Sequence, residues 1–162
     1  MIILGVDPGI ATVGIGIIEY DRGRFVTLQY GAIITPANTP LSNRLMTIFD
    51  DLSETINKFR PDSIAVEELF FNTNAKTAIT VGHGRGVVLL AGAKAGVPVY
   101  EYTPLQVKQA VVGYGRADKN QVQQMTKTIL KLERVPRPDD TADALAIAIC
   151  HAHSVSSLVH SV

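Results

Sequence analysis

Residues 2–35 read IILGVDPGIATVGIGIIEYDRGRFVTLQYGAIIT, and this stretch decides the fold. It begins with an apolar run that ends in Asp7-Pro8-Gly9, which predicts a central strand stopped by a turn. Thr12–Tyr20 and Phe25–Thr35 are rich in β-branched and aromatic residues, and Asp21-Arg22-Gly23-Arg24 between them predicts a hairpin loop. The chain therefore opens with three strands, most simply an antiparallel meander.

The period of the pattern changes after these strands. Apolar residues recur at helical spacing from Leu41 to Phe59 and predict an amphipathic helix that ends before Pro61. Further strands are predicted over Ser63–Glu68 and Val97–Tyr102, and further helices over Asn74–Ala95, Thr103–Gly113, Asp118–Leu132 and from a cap at Asp139 or Asp140. The expected architecture is α/β, a mixed five-stranded sheet flanked by helices. One domain should cover residues 1–153, and a C-terminal tail over 154–162 should fray.

Two of these helices carry specific local patterns. Thr103-Pro104-Leu105-Gln106 combines a capping threonine, proline at the first helical position and glutamine at the third. In the helix that begins at Asp118, apolar residues recur at Val122, Met125, Ile129 and Leu132. We expect these four side chains to form its buried face.

Composition limits the class of protein. The 162 residues are 46% hydrophobic and 19% charged, as in a folded domain. Fifteen basic residues balance fifteen acidic ones, which opposes nucleic-acid binding unless a local basic patch exists. The lone Cys150 excludes an internal disulfide and favours a reducing cytoplasm. No signal peptide is recognisable, and no apolar run approaches the ~20 residues of a membrane span, so no membrane association is expected.

Four carboxylates stand out by position. Asp7 and Glu67 each end a buried apolar strand, where an uncompensated charge is costly. Asp140 and Asp143 are three residues apart and share one face at the start of the last helix. Singly, Asp7 could stabilise its own turn and Asp140 could be only a cap. Together they would repel one another without divalent cations, and oxygen-only ligands favour Mg²⁺ or Mn²⁺ over zinc. Two such ions can hydrolyse a phosphodiester.

The chain resembles the RuvC family of Holliday junction resolvases. The matching stretches are Gly5-Val6-Asp7-Pro8-Gly9, Ala65-Val66-Glu67, Gly84-Arg85-Gly86, Val111-Val112-Gly113-Tyr114-Gly115 and Asp140-Thr141-Ala142-Asp143-Ala144-Leu145-Ala146. The resemblance implies a ribonuclease-H-like fold, with Asp7, Glu67, Asp140 and Asp143 as catalytic, metal-binding residues. Because Glu67-Glu68 and Asp139-Asp140 each offer two adjacent acids, this assignment rests on the alignment of motifs.

The resemblance also implies an activity and its partners. A homodimer with two Mg²⁺ per site, replaceable by Mn²⁺, would make paired nicks in a four-way DNA junction during recombination and repair. The junction would be handed over by the RuvA–RuvB branch-migration complex. Two other functions fit the fold: a nuclease for RNA–DNA hybrids, and a non-catalytic junction-binding protein, which should have lost a carboxylate. An actin-like kinase would need a second domain, for which 162 residues leave no room.

Several residues are candidates for DNA contact. Lys108, Arg116 and Lys119 flank the loop Gly113-Tyr114-Gly115, where glycines allow the backbone to approach phosphate. The alternative is a solvated basic edge. Arg85 on the long helix is a weaker candidate.

Phe70 could stack on an opened base, since base–aromatic stacking contributes ~1–3 kcal/mol, or it could be a core residue. The glycines of the Asn74–Ala95 helix could allow close packing in a dimer interface. They could equally pack against the sheet.

Overall fold

The computed structural model describes residues 1–68 and 75–159, except for the side chains of 75–77 and 156–159. Its strands are β1 (Ile2–Asp7), β2 (Thr12–Asp21), β3 (Arg24–Ile34), β4 (Ser63–Glu67) and β5 (Val99–Tyr102). Its helices are α1 (Leu41–Phe59), α2 (Ala75–Ala95), α3 (Pro104–Val112), α4 (Lys119–Ile129) and α5 (Asp139–Val159). Helix α5 thus continues past residue 154, where the sequence analysis placed the start of a tail.

The strands form one mixed sheet of five strands, as predicted, and their order is β3-β2-β1-β4-β5. β1 pairs antiparallel with β2, and Asp7 lies opposite Gly14. On its other side β1 pairs parallel with β4, and Val6 lies opposite Val66. The carboxyl ends of β1 and β4 therefore meet at the same end of the sheet, in its centre.

Helices cover both faces of the sheet, because successive residues of the central strands point to opposite sides. In β1, Leu4 packs in the core beneath α1 and α2, whereas Ile3 packs in the core beneath α3, α4 and α5. Both side chains are fully buried. Among the described residues, no helix is long and apolar enough to cross a membrane.

Helix α5 lies unusually close to β1 and β2. A Cβ atom at Gly14 would overlap the carbonyl oxygen of Asp140, and one at Gly5 would overlap that of Ala144. The helix contributes alanines that are fully or almost fully buried, including Ala144 and Ala148. Small residues on both surfaces let the helix backbone rest directly on the strands.

The boundaries of α3 and α4 follow the predicted local signals. The Thr103 hydroxyl accepts from the Gln106 backbone, and the Gln106 side chain accepts in return from Thr103. Asp118 and Gln121 form the same reciprocal cap at the start of α4. α3 ends at Gly113, whose φ of 97° is in the left-handed region.

The predicted buried face of α4 is partly wrong. Met125 is 37% exposed, whereas Gln123 and Thr126 are buried beside Val122. The Thr126 hydroxyl tolerates burial because it donates to the carbonyl of Val122, at 2.8 Å. A pattern of apolar residues selects Met125. It does not predict burial of a polar residue whose hydrogen bond is made within its own helix.

The start of α5 also differs from the prediction of a cap at Asp139 or Asp140. Both aspartates lie inside the first turn of the helix rather than at its cap. There their charge still interacts favourably with the helix dipole.

The contact between Gly14 and α5 yields a stability prediction. Gly14→Ala should destabilise the protein by about 1–3 kcal/mol or more, because the new methyl group pushes against helix backbone. Gly31→Ala on β3 is the matched control, since a Cβ there meets no atom within 4 Å. Urea unfolding of both variants checks this, and equal midpoints would contradict it.

Candidate active site

The four carboxylates Asp7, Glu67, Asp140 and Asp143 lie around one end of the sheet, and we call them the carboxylate cluster. Asp7 and Glu67 end the neighbouring parallel strands β1 and β4. Gly14 lies between Asp140 and Asp7. It pairs with Asp7 in the sheet, and its other side contacts the backbone of Asp140. Asp143 follows one helical turn later, on the same face.

The electrostatic state of Asp7 reflects this crowding. Burial is the largest cause that raises the pKa of Asp7, and the charges of Glu67, Asp143 and Asp140 raise it further, to about 8. The ammonium group of Lys119 opposes the rise. A buried aspartate surrounded by three other carboxylates is therefore protonated near neutral pH unless a cation compensates it.

Glu67 and Asp143 show the same effect. Burial raises the pKa of Glu67, and the charge of Asp143 adds to the rise. Burial likewise raises the pKa of Asp143, although a hydrogen bond from Lys119 works against it. These mutual effects indicate that the residues form one electrostatic unit.

Lys119 is the cation nearest to the cluster. Its Nζ lies 3.1 Å from a carboxylate oxygen of Asp143 and 3.5 Å from one of Asp139. Although burial lowers the pKa of Lys119, contact with Asp143 and Asp139 raises it overall. The sequence predicted Lys119 as a DNA contact, whereas in the structure it also provides positive charge to the carboxylates themselves.

The two acids of each adjacent pair have different surroundings. Glu67 is half-buried next to Asp143, whereas Glu68 is exposed beyond the end of β4. Asp140 raises the pKa of Asp7, whereas Asp139 forms ion pairs with Arg137 and Lys119. The geometry thus supports Glu67 and Asp140 as the members of the cluster.

A cleft of about 200 Å³ opens beside Glu67 and Asp143. Lys108 and Lys119 line it together with the two acids, and its apolar wall comes from Pro104, Val107, Val122, Ala146 and Ile147. Because its lining combines lysines with apolar residues, the cleft suits a ligand that has both anionic and apolar groups, such as a nucleotide.

The other predicted DNA contacts lie in different surroundings. Arg116 is exposed in the loop between α3 and α4, and it has no ion-pair partner within the described part of the chain. Arg85 instead pairs with Glu101 of β5. Phe70 lies outside the described residues.

A buried hydrogen bond behind the cluster was missed by sequence reasoning. The hydroxyl of Tyr102 and Nδ1 of His151 are 2.7 Å apart. Tyr102 lies opposite Glu67 in the sheet, and its carbonyl oxygen accepts from the backbone of Glu68. The pair therefore joins the strand ends at Glu67 to α5. The only signal in the sequence is that His151 interrupts an apolar run.

The residues present fit a divalent cation by donor type, because all four offer carboxylate oxygens. Among the described residues, however, no three His, Cys, Asp or Glu side chains stand together at the spacing of metal ligands. The ammonium of Lys119 lies against Asp143 instead. The donor atoms are therefore of the right type, although the side chains do not converge on a metal site in this arrangement.

The mixed sheet, and a carboxylate cluster where β1, β4 and α5 meet, define a nuclease of the ribonuclease-H-like fold. The family model described as RuvC, crossover junction endodeoxyribonuclease RuvC, matches residues 3–151. The chain therefore belongs to the RuvC family of crossover junction endodeoxyribonucleases.

Individual relatives agree with this assignment. The crossover junction endodeoxyribonuclease RuvC of Ruminiclostridium cellulolyticum is 60% identical over 154 residues, which are 95% of this chain and 93% of the relative. The structure of T. thermophilus RuvC in complex with a Holliday junction substrate superimposes with a TM-score of 0.92 at 40% identity, covering 97% of this chain and 96% of the other. The yeast mitochondrial Holliday junction resolvase shares the fold, with a TM-score of 0.68 at 14% identity over 98% of this chain and 82% of the other.

The raised pKa of Asp7 predicts how the metal-free protein responds to pH. A carboxyl group whose pKa is about 8 when folded and 3.8 when unfolded contributes stability that is present below pH 4 and lost as pH rises through 8. Wild-type protein in EDTA should therefore lose stability as pH rises from about 4 to 8, and Asp7→Asn should reduce this loss. At pH 9 the free energies of unfolding of the two proteins should differ by at least about 1 kcal/mol in favour of Asp7→Asn. This corresponds to roughly 2–4 °C in Tm.

Thermal unfolding in EDTA at several pH values measures the effect. Asp50→Asn, at an exposed position on α1, is the matched control and should keep the wild-type profile. Parallel profiles for wild type and Asp7→Asn would contradict the prediction. Adding Mg²⁺ at pH 8 should raise the Tm of wild type more than that of Asp7→Asn, since a ligand stabilises the state that binds it.

Proposed function

We propose that this protein resolves Holliday junctions by paired, symmetric nicks, as a homodimer in the cytoplasm, with Asp7, Glu67, Asp140 and Asp143 as its catalytic residues. The observation that carries the proposal is the charge of the carboxylate cluster. A pKa of about 8 at Asp7 means that the cluster needs positive charge in order to ionise fully. Divalent cations would meet that need, and they would also act on the phosphodiester that is cut.

The carboxylate cluster would hold two Mg²⁺ ions, with Mn²⁺ as a substitute, through carboxylate oxygens alone. When bound, such ions activate water and stabilise the leaving oxygen of a phosphodiester. Strands β1 and β4 position the carboxylates of Asp7 and Glu67. The start of α5 positions those of Asp140 and Asp143. The Tyr102–His151 hydrogen bond supports this arrangement from behind.

Basic residues at the cleft would bind the phosphates next to the scissile bond. Lys108 and Lys119 line the cleft together with Glu67 and Asp143. Arg116 extends the positive surface along the loop, which is held between the end of α3 and the cap of α4. Lys119 would exchange its contacts with Asp143 for contacts with phosphate once metal compensates the carboxylates.

An exposed stripe on α2 supports a homodimer. Ile79 is 63% exposed and Leu90 is 58% exposed. With His83, Gly86 and Ala93 they recur every three or four residues along the same exposed face, the spacing that two packed helices share. A Cβ at Gly86 would meet no atom of its own chain within 4 Å, so the glycine leaves room for a second helix.

Gly84 and Gly92 of α2 have a different role. A Cβ at Gly84 would overlap the carbonyl oxygen of Gly9, in the loop after Asp7, and one at Gly92 would crowd Val99 and Ile64. Close packing within the chain therefore accounts for Gly84 and Gly92, whereas Gly86 would serve the proposed interface. A two-fold junction that is cut twice needs two sites related by a dyad, which a dimer through the outer face of α2 would supply.

The remaining partners follow from family membership. The structure of T. thermophilus RuvC in complex with a Holliday junction supports a four-way junction as the substrate here. We infer that the RuvA–RuvB complex delivers the junction.

A nuclease for RNA–DNA hybrids remains the second candidate. Cleavage of a mobile four-way junction is compared with cleavage of a hybrid duplex of equal length, and this comparison separates the two functions.

Two neighbouring glutamates offer a test of the catalytic assignment. Glu67→Gln should abolish Mg²⁺-dependent cleavage of the junction, by roughly 10³-fold or more, because it removes a ligand charge and keeps the side-chain shape. Glu68→Gln, one residue along at an exposed position, should retain most of the activity. Nick mapping under single-turnover conditions measures both, and the reverse ranking would show that the assignment is shifted by one residue.

The α2 stripe predicts the oligomeric state. Leu90→Glu should convert the dimer to a monomer without unfolding the chain, because a charge would be buried in the interface. Leu105→Glu is the matched control, since Leu105 is 54% exposed on α3. Sedimentation of both variants gives the mass directly, and a dimeric Leu90→Glu protein would place the interface elsewhere.

A further inference from the structure

A groove of about 570 Å³ lies between the tip of the β2–β3 hairpin and the end of α4. We call it the hairpin groove. One side consists of residues 22–27 and the other of residues 129–131. Three cations border it, namely Arg22, Arg24 and Lys131. All three are exposed, and none has an ion-pair partner within the described part of the chain.

The hairpin holds its cations in a fixed place. Arg22 and Gly23 both have positive φ angles, 45° and 85°, as a tight two-residue turn between twisted strands requires. Phe25, directly after the turn, packs against Tyr20 with ring centroids 4.9 Å apart, and against His153 of α5 at 5.5 Å. The two arginines therefore extend from a base that is packed onto the domain core.

Helix α4 connects the hairpin groove to the active site. It begins at Lys119, beside Asp143, and the segment 119–132 that contains it has three lysines and no acidic residue. Over the longer segment from Lys108 to Arg137, seven basic residues face two acidic ones, a net charge of +5 in a chain whose total is zero. This segment, which includes α4, is thus strongly basic.

The distance between the two ends suits duplex DNA. Gly14 lies opposite Asp7, and the hairpin turn begins at Asp21, seven residues further along β2. At about 3.3 Å per residue this separation is roughly 23 Å. Duplex DNA rises 3.4 Å per base pair, so roughly seven base pairs span the same distance.

We propose that the hairpin groove binds the phosphate backbone of a duplex arm of the junction, about seven base pairs from the crossover. This inference rests on the proposed function and deepens it, because it assigns a second DNA contact on the same chain, remote from the carboxylate cluster. α4 carries the arm between the two contacts, since its exposed side chains offer hydrogen bonds and positive charge without repelling phosphate.

The test compares two double variants that remove equal charge. Arg22→Gln with Arg24→Gln removes the hairpin cations, and Lys58→Gln with Arg60→Gln removes two cations at the end of α1. Junction affinity is measured in Ca²⁺ over a range of salt concentrations. The hairpin variant should bind roughly tenfold or more weakly at 0.1 M salt, with a slope of log K against log salt smaller by about two units. The α1 variant should match wild type.

A chemically altered junction tests the position of the contact. Neutral methylphosphonate linkages are placed six to eight base pairs from the crossover in all four arms. Wild type should bind this junction more weakly than the unmodified one, whereas the hairpin variant should bind both alike, because it has already lost the contact. Lys131→Gln should give an intermediate result.

Equal affinity and salt slope for the hairpin and α1 variants would overturn the inference. An equal loss of affinity for wild type and hairpin variant on the neutral junction would also overturn it, because other residues would then contact those phosphates. Failure of the proposed function is recognised separately. In that case wild-type protein would leave the unmodified junction uncut in Mg²⁺.

Discussion

The position of the active site depends on the direct contact between helix α5 and the sheet. Helix and strand backbones touch at Gly14 and Gly5, where any side chain would overlap a carbonyl oxygen of α5. Because Gly14 pairs with Asp7, the same contact brings the first turn of α5 over the end of β1. If larger residues separated the two layers, Asp140 and Asp143 would lie too far from Asp7 and Glu67 to share cations with them.

This closeness has an electrostatic cost, which explains the surroundings of the site. Asp7 and Glu67 are half-buried, and the charge of Asp143 disfavours the ionisation of both. Lys119 offsets part of this repulsion, and Asp140 lies in the first turn of α5, where the helix dipole favours negative charge. If the cluster holds cations, as proposed, their binding would be strengthened because it relieves this repulsion.

Sequence patterns predicted the features whose causes are local. The strands, the cap at Thr103, the start of a helix at Asp118 and the end of α1 before Pro61 depend on neighbouring residues. Each is found within a few residues of its predicted place. The strand ends at Asp7 and Glu67 could be recognised for the same reason. Features that depend on distant partners were missed. Nothing near Arg85 in the sequence points to Glu101, and nothing near Lys119 points to Asp143.

Net charge illustrates the same limit in another way. A total of zero opposes binding to DNA only when charge is spread evenly. Here four of the fifteen acids are gathered in the carboxylate cluster, where bound cations would cancel them, and the segment 119–132 has none. With metal in the cluster, the surface proposed to face DNA would be strongly positive although the chain is neutral. The arrangement of the charges in space explains how a neutral protein can act on a polyanionic substrate. Composition does not contain this information.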